Sequence, residues 1–84
     1  MNKPKEKIVV ITSGWVVQGM VTELPDRLRI DNASVIRVWG TTAGLGQLAH
    51  SGPTTETVYD FAGVVECFNQ AVIMQIDVTY KEPE

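Results

Sequence analysis

This chain has one cysteine, Cys67, and one histidine, His50, among its 84 residues. A single thiol excludes an internal disulfide. It also excludes a cysteine-rich zinc site, and with one histidine any metal would need carboxylates or Cys67 to complete its shell. No metal is expected. His50 reads as a dipole partner near a helix C-terminus, and Cys67 as a buried, inert thiol. Ser13 and Ser51 lack a G-x-S-x-G context, and Cys67 has no histidine near it in sequence. Carboxylates at outward strand positions are ordinarily solvated surface. With no catalytic set of residues, the chain reads as non-enzymatic.

Basic residues are scarce where they would matter. Lys3, Lys5, Lys7 and Lys81 lie near the ends. Between Ile8 and Tyr80 there are only Arg27, Arg29 and Arg37, against seven carboxylates. Non-specific duplex binding draws on many phosphate contacts from Lys and Arg, so duplex nucleic acid is not an expected partner. A small anion is different, because one or two arginines suffice for it. Long apolar runs are also missing. Ile8-Val-Val-Ile11 is too short for a signal-peptide core, and nothing approaches the ~18–20 residues that would span a membrane. The expectation is a cytoplasmic protein with no membrane partner.

What is present is a globular composition, 44% hydrophobic and 20% charged. A chain this short buries roughly 60–65% of the surface its unfolded form exposes. Its core is modest, so pairing with identical copies, a homo-oligomer, is expected. Residues 1–6 and 81–84 read as tails of one small domain spanning 1–84.

The rest is mostly strand. Ile8–Thr12 is a β-branched run, and Ser13-Gly14 a turn signal. Trp15–Thr22 follows, with Trp15 in the core or at an oligomer contact. Gly19 inside that strand predicts a bend or bulge. Leu24-Pro-Asp26 is a second turn. Arg27–Asp31 alternates, with Leu28 and Ile30 inward. Asn32-Ala33 reads as a third break before a strand at Ser34–Trp39. Gly63–Phe68 and Ala71–Tyr80 are the last strands, with a tight turn at Asn69-Gln70. Between them and the earlier strands, Leu45, Leu48 and Ala49 have helical spacing. Thr41 or Thr42 is placed to cap that helix, and Gly52-Pro53 to stop it within about two turns. Short strands with a turn about every ten residues predict a mainly β fold. The expected form is a small, strongly bent antiparallel sheet or open barrel, Sm-like or SH3-like in shape, with one short helix.

One motif tests a cofactor. Gly44-Leu-Gly46-Gln-Leu-Ala49 spells G-x-G-x-x-A, a form of the dinucleotide-binding fingerprint. That fingerprint belongs between a parallel strand and a long helix. Here the helix ends at Gly52-Pro53 and no second βαβ half follows, so no cofactor is expected and the glycines read as turn formers. The loop still carries a candidate ligand site. Gly40, Thr41, Thr42, Gly44 and Gly46 offer backbone N–H groups and hydroxyls at a helix start, which attracts anions. Arg37 and Trp39 lead into it from one strand face. A guanidinium for phosphate and an indole for stacking suit a nucleotide-like ligand. The plainer alternative is that Trp39 packs on the helix and Arg37 pairs with a local carboxylate.

The series Gly14…Gly19…Leu28-x-Ile30-x-Asn32-Ala33-x-x-Ile36-Arg37-x-Trp39-Gly40, then Leu45-x-x-Leu48-Ala49-x-x-Gly52-Pro53, then Ala71-Val-Ile-x-x-Ile-Asp77, resembles small uncharacterised proteins of bacteriophage and prophage genomes. The likeness covers residues 8–79. It implies no activity and no site residues. It does imply a binding role: capture of a nucleotide immune signal as an anti-defence sponge, or of a host protein. The function expected is therefore a non-enzymatic, oligomeric protein that sequesters a small anionic, nucleotide-like ligand. The alternatives are a protein–protein interaction module, acting as a host-factor inhibitor or virion component, and, against the acidic body, an Sm-like RNA binder.

Overall fold

A computed structural model describes residues 3–80. Five strands and one helix follow in the order β1 (Lys5–Ile11), β2 (Trp15–Glu23), β3 (Arg27–Val38), α1 (Gly44–Ser51), β4 (Val58–Phe68) and β5 (Val72–Asp77). The fold is mainly β, as the spacing of strands and turns predicts. All pairings are antiparallel, in the sheet order β4-β3-β2-β1-β5. The sheet does not close: β4 and β5 stand at opposite ends as its two edges.

Register makes the sheet two-sided. On β1, Ile8 and Val10 point one way and Val9 and Ile11 the other. The first face packs against the helix. Leu45, Leu48 and Ala49 of α1 bury against Ile8, Val16 and Ile36, flanked by Val10, Tyr59, Ile76 and Val78. The second face gathers Val9, Val17, Val21, Leu28, Ile30, Ala33 and Cys67. No helix among the described residues covers that group, so the sheet buries it by curling over itself.

The curl has a visible cause. Register shifts fall between β2 and β3, where Gly19 faces the extra residue at Asn32–Ala33, and between β3 and β4 around Ala33 and Gly63, so they line up across three adjacent strands. Asn32 (φ 50) and Gly63 (φ 91) adopt the left-handed conformation that glycine and asparagine tolerate best. Bulges twist and bend the strands that carry them, and aligned across the sheet these irregularities form a crease. Gly19 must stay bare there. A Cβ at that position would lie 2.6 Å from Ile30 Cγ2 and 2.7 Å from the Asp31 carbonyl.

Four sequence expectations are corrected. Lys5 and Glu6 are not part of a tail, because β1 begins at Lys5 and pairs with β2 there. Asn32-Ala33 does not separate two strands, because β3, twelve residues long, runs through it with a bulge. β4 begins at Val58, five residues before Gly63, since pairing to β3 carries the strand past the left-handed glycine. Trp15 is not core. It pairs with Ile11 at the turn into β2 and is 59% exposed. The expected bulge at Gly19, the turn at Ser13-Gly14 and the helix stop at Gly52 (φ 87) stand as read. So does the buried placement of Cys67, whose thiol desolvation pushes up from its usual range.

Candidate functional site

Arg37 leaves the exposed end of β3 and meets Asp60 of β4 across the sheet. Its Nε donates to Asp60 Oδ2 at 2.8 Å, and its Nη2 to Asp60 Oδ1 at 3.1 Å. The fork matches the carboxylate atom for atom. Asp60, through these hydrogen bonds and then its charge, pushes the guanidinium up from an already high value. The pairing expected as the plainer alternative is therefore present. It uses two of the five N–H donors a guanidinium carries, which leaves three for a ligand.

Arg37 and Asp60 line a groove of about 400 Å³ together with Gly14, Trp15, Val16 and Val35. The indole beside this arginine is thus Trp15, from the turn between β1 and β2, and not Trp39. Trp39 lies just beyond the end of β3, 42% exposed, and does not line the groove. Gly40, with φ 68 and the backbone of Glu56 and Thr57 packed against it, turns the chain toward α1. Two hydroxyls fix that turn: Thr57 donates to the Trp39 carbonyl and Thr54 to the Gly40 carbonyl. Sequence reading could not pair Trp15 with Arg37, because the two stand 22 positions apart and reach the same groove only through the pairing of β2 with β3.

The glycine loop is more self-contained than expected. Thr41 Oγ1 donates to the Gly44 carbonyl at 2.7 Å. Thr42 Oγ1 donates to Gln47 Oε1, which also accepts from the Ala43 N–H at 2.8 Å. Ala43 is the residue before the helix, so neither threonine caps it; Gln47 reaches back from the first turn and takes that place. Around Gly44 and Gly46 the space is open. No ligand is needed to satisfy the hydroxyls of this loop.

The remaining candidates have local partners. His50 Nδ1 lies 2.6 Å from Thr79 Oγ1 in the last turn of α1. Among the described residues no group of three or more His, Cys, Asp or Glu side chains could hold a metal ion. No helix there is long and apolar enough to cross a membrane. A second polar cluster, around Gln18, went unnoticed in sequence. Gln18 is buried at 6% exposure between apolar neighbours on β2, and a lone glutamine in a strand carries no signal of that kind. No protein-family model, curated protein or solved structure matches the chain.

Proposed function

We propose that this is a non-enzymatic binding protein that holds a small nucleotide-like ligand in the groove between Trp15 and Arg37. One observation carries the reading: an exposed indole and an arginine with unspent donors line the same opening. Its volume, about 400 Å³, lies within the range of small-ligand sites. A flat ring would stack on Trp15. A phosphate or carbonyl acceptor would take the N–H donors that Arg37 does not give to Asp60. Asp60 lowers the pull on a bare anion, so ring and acceptor act together. Sequestration as an anti-defence sponge is the role such a site would serve. Arg37 is a ligand contact in this scheme, as read from the sequence; Trp15 takes the stacking role first given to Trp39.

Calorimetric titration with cyclic and linear nucleotides is the test. Binding that Trp15→Ala and Arg37→Ala each weaken by tenfold or more, roughly 1.4 kcal/mol, supports the site. Binding untouched by the double variant sinks it.

A second reading rests on the sheet edges. Phe61 (75% exposed) and Phe68 (62%) stand on β4, and Ile73 (61%) on β5. Free strands with apolar side chains accept further strands. Homo-oligomerisation, or addition of a partner protein's strand, is the function this favours. Light scattering that gives a monomer at high concentration, with Phe61→Lys changing nothing, would remove the self-association arm.

A further inference from the structure

We propose a second binding site, in the cleft around Gln18, that takes a small organic cation with a primary ammonium or guanidinium group. The cleft has about 310 Å³ and is lined by Glu6, Gln18, Asn32, Ser34, Tyr59 and Tyr80, with glycine and proline backbone at its margins. It lies apart from the Trp15–Arg37 groove and shares no lining residue with it.

The floor is built. Gln18 is 94% buried, the complement of its 6% exposure, and its amide is held from three parts of the chain. Nε2 donates to Glu6 Oε2 of β1 at 2.7 Å and to Tyr80 Oη at 3.2 Å, and Oε1 accepts from Tyr59 Oη of β4 at 2.9 Å. Burying an amide is favourable only when its bonds are met, and here they fix which way it faces. They also fix Glu6. Its Oε2 takes the Gln18 bond, whereas Oε1 makes none with the described residues, and no lysine or arginine among them pairs with this half-buried carboxylate.

The chemistry of the lining selects the ligand. Among the described residues, one carboxylate faces the cleft and no basic side chain lines it. An anion there would face the Glu6 carboxylate with no positive charge among the described lining residues to offset it. A cation gains a charge-assisted hydrogen bond to Glu6 and stands beside two tyrosine rings, whose faces attract positive charge. The full chain, with ten acidic and seven basic side chains, has a net charge of -3 and adds a weak field of the same sign.

The experiment titrates the full chain with agmatine and spermidine, and with ribose 5-phosphate as the opposite charge. Heteronuclear NMR and calorimetry read the result. Agmatine or spermidine is expected to shift the amides of Gln18, Gly19 and Asn32. Glu6→Gln keeps an acceptor for Gln18 and loses only the charge, so it should weaken binding by roughly tenfold or more. Arg37→Ala should leave this binding unchanged, which separates the outcome from that of the groove. Tyr80→Leu, which removes one ring face and keeps Glu6, serves as the second variant should Glu6→Gln fail to fold, with a smaller loss expected. The proposal is overturned by an absence of shifts with both cations at millimolar concentration. It is equally overturned by cation binding at full strength in Glu6→Gln, or in Tyr80→Leu where that variant stands in, and by ribose 5-phosphate shifting the same amides.

Discussion

Replacing Gly19 with alanine probes the crease that gives this sheet its shape. The added Cβ would lie 2.6 Å from Ile30 Cγ2, 2.7 Å from the Asp31 carbonyl oxygen and 3.1 Å from Ala33 Cα. The first two are about 0.7–0.8 Å short of ordinary contact. Ile30 has no exposed surface and cannot swing away. The Asp31 oxygen is backbone at the β3 bulge, so yielding there means disturbing the crease itself. Forced overpacking of this kind typically costs about 1–3 kcal/mol. Against it stands the ~0.4–1 kcal/mol that alanine returns by restricting the unfolded chain. The net loss is on the order of 1–2 kcal/mol, and for a domain of this size each kcal/mol lowers Tm by roughly 4–8 °C. Circular-dichroism melting of Gly19→Ala should therefore fall by about 5–15 °C. Gly46→Ala is the matched control. It lies inside α1 with open space around the new methyl, and removing a helix glycine should stabilise by about 0.5–1 kcal/mol. If Gly19→Ala melts at or above the wild-type temperature, the close approach is not what bends the sheet.

Leu48 is fully buried at the centre of the helix–sheet contact, so Leu48→Ala should lose roughly 3–5 kcal/mol in urea unfolding. Gln18→Ala strands Glu6 Oε2 and the hydroxyls of Tyr59 and Tyr80 without their amide; a loss of about 1–3 kcal/mol is expected by the same assay. Desolvation raises the Cys67 thiol above its usual range, so the native state disfavours the thiolate. The stability this contributes is full below the ordinary thiol pKa of ~8.5. It declines as pH rises through the higher folded value. Reaction of Cys67 with a disulfide reagent near pH 8 should be slow in the native protein and fast in denaturant, and Cys67→Ser should flatten the alkaline end of the stability profile. Rapid native labelling would contradict the burial.

Much of the architecture was legible because it is written in local alternation. Leu28 and Ile30 point inward two residues apart, and Leu45, Leu48 and Ala49 share one helical side, whatever the rest of the chain does. The Gly52 stop and the Gly19 bulge were readable for a similar reason: glycine marks places where a side chain cannot go. The run of β3 through Asn32 was not readable. The same left-handed residue serves a turn or a bulge, and only pairing to β2 and β4 decides between them.

The candidate sites divide in the same way. The sequence by itself determined a mainly β chain with a short helix, an acidic body, no disulfide, and an arginine at the exposed end of a strand. Tertiary structure alone decided that Arg37 pairs with Asp60 and shares a groove with Trp15 instead of serving the glycine loop, and that Glu6, Gln18, Tyr59 and Tyr80 converge on one cleft. Those contacts join positions 12 to 62 residues apart. Periodicity tells which face a side chain takes, whereas the register of strands distant in sequence tells which side chain stands beside it.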